Sequence, residues 1–147
     1  MGITIGNNQR EIDMGCGGFL RLRTTISKLV DPELHALYLE IFNNDSFRYK
    51  EKGFETEKAY WDDYDERLNR LAQSKLLDPY VLDFLYRSDC SCESLSVKHC
   101  RHLWKVIRDY DDDVVYGYAG RPDRAMFKDF KRIVEECAKN RWVLQFS

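Results

Sequence analysis

At 147 residues, with 44% hydrophobic, 33% charged and 14% aromatic side chains, the chain has the make-up of a soluble globular domain, not a disordered one. Its net charge of -2 argues against a generic polyanion binder, so nucleic acid is not an expected partner. No apolar run approaches the roughly 18 residues of a membrane span, and the first ten residues lack a secretory apolar block. The expectation is a cytoplasmic protein with no membrane partner, whose five cysteines are reduced thiols.

Ile3–Ile5 reads as a short strand followed by a polar turn at Gly6-Asn7-Asn8. Ile12 to Gly18 reads as a glycine-rich lead into a first helix. From Phe19 that helix carries Leu22, Ile26, Leu29 and Val30 on one stripe. Asp31-Pro32 ends it and starts the next, because Asp is a good N-cap and Pro suits the first helical position. Leu34, Leu37, Tyr38, Ile41 and Phe42 give the second helix its apolar face, and Asn43–Ser46 stops it. Phe47–Glu55 reads as a loop. Thr56 caps a third helix running to about Lys75, with Trp61, Tyr64, Leu68 and Leu71 inward. Asp78-Pro79 repeats the cap signal for a fourth helix, with Leu82, Leu85 and Tyr86 inward.

Ser96 caps a fifth helix, and Leu95 and Cys100 are spaced as a hydrophobic staple. Cys100, Leu103, Trp104 and Ile107 then make its buried face. Pro122 opens a last helix whose stripe is Met126, Phe127, Phe130, Ile133, Val134 and Cys137. Trp142–Phe146 is β-prone and is placed to pair with Ile3–Ile5 as a two-stranded ribbon between the N- and C-terminal segments. The expected fold is mainly α: a single domain over residues 1–147, built as a single-layered bundle of about six helices.

The run Phe84-Leu85-Tyr86-Arg87-Ser88-Asp89-Cys90, followed by Leu95-Ser96 and Cys100, resembles an uncharacterised family of small bacterial or phage proteins. Ile12-Asp13-Met14-Gly15-Cys16-Gly17-Gly18-Phe19 with Arg21 and Arg23, and the closing Phe146-Ser147, are similar to it too. Cys92 stands where the family pattern has glycine. The resemblance implies a bacterial or phage setting and brings no activity, cofactor or catalytic residue with it.

Three sites invite chemistry. Cys90, Cys92, His99, Cys100 and His102 are zinc ligands by type, but Cys-x-Cys running into a helix is not the usual spacing. Cys100 lies on the apolar face and the histidines lie off it, so the plain reading is a core thiol with solvated imidazoles. Cys90 or Cys92 near a helix N-terminus, with His99 as base, would suit thiol chemistry; the flanking Asp89 and Glu93 oppose it. Gly15-Cys16-Gly17-Gly18 ahead of Arg21 and Arg23 suits an anion, held by backbone N–H groups and guanidinium forks. It lacks the ending of a P-loop and the dinucleotide fingerprint, and its plain reading is a tight turn needing positive φ or a close helix approach.

The acidic pairs on the third helix read as a solvated face. Asp109, Asp111, Asp112 and Asp113 crowd the end of the fifth helix, and an ion-pair tie from them to Arg121 or Arg124 is expected. The reading of function is a non-enzymatic domain, protein-binding or regulatory, that docks on another protein or on itself. A metal- or thiol-dependent enzyme at Cys90, Cys92, His99 and Cys100 is the alternative. An anion or nucleotide binder at Gly15–Arg23, using Gly17, Gly18, Arg21 and Arg23, is the second alternative.

Overall fold

Ile3 and Ile5 alternate with Thr4 along β1 (Gly2–Gly6), and Ile12 and Met14 alternate with Glu11 and Asp13 along β2 (Glu11–Gly15). The four apolar side chains are buried, while on the other face the Thr4 hydroxyl donates to Asp13 at 2.6 Å. This is the period-two pattern of an antiparallel sheet with one wet face. Asn7 makes the turn, its side-chain oxygen accepting from the backbone of Gln9 and Arg10 at 2.8 and 3.0 Å. β2 corrects the sequence reading of Ile12–Gly18 as a lead into a helix. The alternation Glu-Ile-Asp-Met decides the conformation before the glycines begin.

The structure, a computed structural model, describes residues 2–87, 94–117 and 125–147. β4 (Leu144–Phe146) pairs antiparallel with β1, placing Ile5 opposite Phe146. β3 (Ser94–Leu95) pairs with β4, so the sheet has the order β2-β1-β4-β3. The expected two-stranded ribbon is therefore the centre of a four-stranded sheet. β3 is only two residues long, too short to carry a pattern of its own.

The described residues form six α-helices, α1 (Cys16–Val30), α2 (Pro32–Phe42), α3 (Glu57–Lys75), α4 (Pro79–Tyr86), α5 (Val97–Ile107) and α6 (Phe127–Asn140), of which α1 and α6 lie against the sheet. The caps read from the sequence form. Asp31 accepts from the N–H groups of Glu33 and Leu34, Thr56 from Ala59, Asp78 from Tyr80 and Ser96 from His99. α1 starts three residues before Phe19, because Cys16-Gly17-Gly18 joins its first turn. α6 starts at Phe127 with Asp129 accepting from the Met126 N–H at 2.9 Å; the expected start at Pro122 lies outside the described residues. A short 3-10 turn at Asp45–Arg48 fills part of the segment read as loop.

The mainly α fold class holds, but the fold has two layers, not one. One core joins Ile3, Ile5, Ile12, Met14 and Leu144 of the sheet to Phe19, Leu22 and Ile26 of α1 and to Phe130, Ile133 and Val134 of α6. Phe84 of α4 stacks on Phe130 with ring centroids 5.8 Å apart. On α4, Val81 and Phe84 take inward places that the sequence reading gave to Leu82 and Tyr86, which are half-buried. Among the described residues no helix is long and apolar enough to cross a membrane.

α3 stands beside this core, where Tyr60 and Tyr64 pack on Leu37 of α2 in a cluster of their own. Arg67 clasps Glu40 with two nitrogens at 2.6 and 2.9 Å, and the Tyr60 hydroxyl donates to the same carboxylate at 2.7 Å. Burial opposes ionisation of Glu40, but these bonds outweigh it and hold the carboxyl below its ordinary value near 4.5. A depressed carboxyl stabilises the fold above its unfolded pKa, and that contribution is lost as pH falls through the folded value. The melting-temperature gap between wild type and Glu40→Gln should therefore be full near neutral pH and shrink in the acid range, as thermal melts across pH would record.

Candidate functional site

Cys90 and Cys92 of the metal and thiol readings lie outside the described residues, as do Arg121 and Arg124 of the expected ion-pair tie. Among the described residues, Asp112 accepts from the Tyr110 and Tyr116 hydroxyls at 3.0 and 2.7 Å. Cys100 is fully buried against Cys137 of α6. That contact and burial push its thiol well above the ordinary value, so the thiolate is suppressed. The histidines are clamps and not solvated rings. His102 Nδ1 meets Asp78 Oδ2 at 2.5 Å, His99 Nε2 meets Asp83 Oδ2 at 2.8 Å, and Tyr80 packs against both rings, joining α4 to α5. Among the described residues no three His, Cys, Asp or Glu side chains converge as a metal ion would need.

A hydroxyl at position 100 would replace a buried thiol, at a cost of about 1–3 kcal/mol for an unsatisfied polar group. Cys100→Ser should therefore lower the denaturant midpoint clearly, whereas Cys16→Ser, at an exposed position, should leave it nearly unchanged.

The glycine–arginine segment divides in two. Gly18 and Arg21 turn towards Tyr116. A Cβ on Gly18 would lie 1.9 Å from the Tyr116 carbonyl oxygen, and Arg21 Nη2 donates to the Val115 carbonyl at 3.3 Å. Neither lines the pocket on the other side of the segment, and the close approach of two backbones is what requires Gly18. Gly17 and Arg23 line a pocket of about 390 Å³ between α1, α2 and α4, together with Tyr38, Asn44, Tyr86 and Arg87. Gly15, the N-cap of α1, has no side chain to cap it, and the N-terminal turn of a helix carries partial positive charge.

Arg23 is 8% exposed. Its guanidinium lies 4.1 Å over the Phe19 ring and 5.8 Å from the Phe84 ring, which fixes its plane. Nη1 donates to the Leu85 carbonyl at 3.2 Å, in the last turn of α4, where backbone oxygens favour a cation. Tyr38 donates its hydroxyl to the same carbonyl at 2.9 Å. Nε is buried without a partner, and no described carboxylate pairs with the guanidinium. The unused edge, Nε with Nη2, is the side-on fork that grips a carboxylate or phosphate. Arg87, at the rim, is engaged by Asp83 at 2.7 Å and by the Ser94 carbonyl at 3.1 Å.

Tyr38, Asn44, Tyr86 and Arg87 were not legible as site residues, because they arrive from segments other than the glycine–arginine segment. A second feature escaped for a different reason. Trp104 is half-buried, not on the fully buried face, and it lines a groove of about 470 Å³ with Lys98, Arg101, Lys105 and Arg108. Their i, i+3, i+7, i+10 spacing was available in the sequence, but the whole-chain charge averages it away.

Comparison with known proteins finds no family model, no curated protein and no solved structure that matches this chain.

Proposed function

We propose that the protein binds a small organic oxyanion in the pocket between α1, α2 and α4, with Arg23 as its counter-charge. The observation that carries this reading is the Arg23 guanidinium itself, buried with no carboxylate partner among the described residues and with Nε unbonded. A buried unpaired charge is costly to keep, and a bound carboxylate or phosphate removes that cost by filling the open edge. The volume suits a ligand at the small end of the usual range, and Tyr38 and Tyr86 offer ring surface beside the charge. The domain stays in the non-enzymatic class expected from its sequence, with a small molecule in place of a protein as the first partner. A bacterial or phage origin and a cytoplasmic setting belong to the same proposal.

A thermal-shift series with inorganic phosphate, nucleoside monophosphates and dicarboxylates tests it, followed by calorimetric titration of the strongest compound. Saturable stabilisation by at least one of these supports the reading. No shift from any of them, at millimolar concentration and low salt, overturns it.

A second reading keeps the enzyme alternative but moves it from cysteine to serine. The exposed Ser96 Oγ lies 2.6 Å from His99 Nδ1, and His99 Nε2 lies 2.8 Å from Asp83 Oδ2. With the ring proton on Nε2, this is a nucleophile–base–acid chain in mirrored order about the imidazole. A fluorophosphonate probe tests it: Ser96 Oγ would bond to phosphorus as fluoride leaves and His99 takes the hydroxyl proton. Labelling lost in Ser96→Asp, which preserves the helix cap, supports a nucleophile. Equal labelling of the two proteins leaves Ser96 as a cap only.

A further inference from the structure

Several charges on the helices of this molecule pair along their own helix. On α3, Lys58 meets Asp62, Arg67 meets Asp63 and Arg70 meets Glu66, each four residues apart; on α6, Lys139 meets Glu135. α5 departs from this. Between Val97 and Ile107 it carries Lys98, Arg101 and Lys105 and no acid at all, and Arg108 follows directly. Among the described residues the only ion pair any of these four makes is that of Arg108 with Asp109, at 3.6 Å on the exposed surface. Lys98 instead sits 5.0 Å over the Tyr80 ring. Like charges three and four apart on a helix repel, and among the described residues Arg101 and Lys105 have no acidic partner to offset this.

These cations surround an aromatic ring. Arg101, Trp104, Lys105 and Arg108 fall at the i, i+3, i+4, i+7 spacing of one helix face, with Lys98 one turn earlier. Together they line the groove of about 470 Å³, which holds no carboxylate and is closed on one side by Ala138 of α6. Four cations over about 15 Å of helix ask for a partner with repeated negative charge. A half-buried tryptophan among them asks for a flat ring to stack on.

We propose that the outer face of α5 binds single-stranded nucleic acid, its phosphates on Lys98, Arg101, Lys105 and Arg108 and a base on Trp104. Charge complementarity alone would also suit an acidic protein surface; the ring at the centre of the cations is what favours a nucleotide chain. The proposal is independent of the Arg23 pocket, since the two sites share no residue.

Fluorescence anisotropy with a labelled twelve-nucleotide oligouridine, titrated at several salt concentrations, tests it. The expected result is saturable binding, with log K falling against log salt at a slope of about -3 for four contacts, or about -0.7 for each. Arg101→Gln with Lys105→Gln, both exposed and safe for folding, should weaken binding and flatten the slope by about 1.4. Trp104→Leu, which keeps apolar packing, should weaken binding about tenfold with the slope unchanged. Arg23→Met should bind the oligonucleotide as wild type does, so a failure here is separable from a failure of the oxyanion pocket. Absence of binding at low salt overturns the proposal. So does displacement of the oligonucleotide by polyglutamate of equal charge with Trp104→Leu unaffected, which would assign the face to an acidic protein.

Discussion

Arg23→Met is expected to hold or raise the melting temperature of the ligand-free protein while abolishing its stabilisation by a small oxyanion. The two halves come from one physical situation. The methionine stem keeps much of the packing between Phe19 and the pocket wall, while the buried charge and its unbonded Nε disappear. Replacing buried ionic groups by apolar ones of similar volume is often neutral or stabilising. In the wild type, a ligand at 100 times its dissociation constant adds about 2.7 kcal/mol, or about 5–10 °C for a chain of this size. The variant should show none of it. If Arg23 were only a structural tether to the Leu85 carbonyl, the ligand-free variant would instead melt well below wild type, and paired melts of both proteins decide the matter.

The second large effect belongs to a methyl group. Gly18→Ala should cost about 3 kcal/mol, the upper end of what over-packing a core costs. Its Cβ would be driven to 1.9 Å from a backbone oxygen that no rotamer can move aside. Gly17→Ala, one residue earlier, meets nothing within 4 Å and should gain up to about 1 kcal/mol from the lower entropy of alanine in a helix. Denaturant midpoints of the two variants should therefore move in opposite directions. The same Gly17→Ala protein narrows the pocket, so a gain in stability with weaker oxyanion binding is the expected combination.

How much of this could be read beforehand depended on whether the deciding interaction was local. Asp31-Pro32, Thr56, Asp78-Pro79 and Ser96 announce helix starts because a cap is satisfied within three residues. The stripe from Phe127 to Cys137 points inward because a helix repeats its faces regardless of what it packs on. β2 is hard to read because the glycines that follow mask the alternation of Ile12 and Met14, and β3 because two residues hold no period. The site was half legible. Gly17 and Arg23 could be suspected of holding an anion, yet Gly18 and Arg21 look the same in sequence and face the other way. What separates them is Tyr116, whose carbonyl comes down on α1 from nearly a hundred residues away. His99 and His102 were assigned to water because their carboxylate partners sit on another helix.

The position of β4 inside the sheet has a kinetic consequence. Ile5 and Phe146 are neighbours across about 140 residues of chain, and closing a loop of that length costs on the order of 4 kcal/mol of entropy. The β1–β2 hairpin closes through a turn of a few residues and can form within microseconds. During refolding, therefore, the Ile3-Thr4-Ile5 edge is made early and waits for its proper neighbour. An unpaired apolar edge is a template for any other strand in reach, including that of a second folding molecule. Refolding yield should fall as protein concentration rises, and a short peptide spanning residues 142–147, added in excess at the start, should trap the hairpin and slow the recovery of native protein.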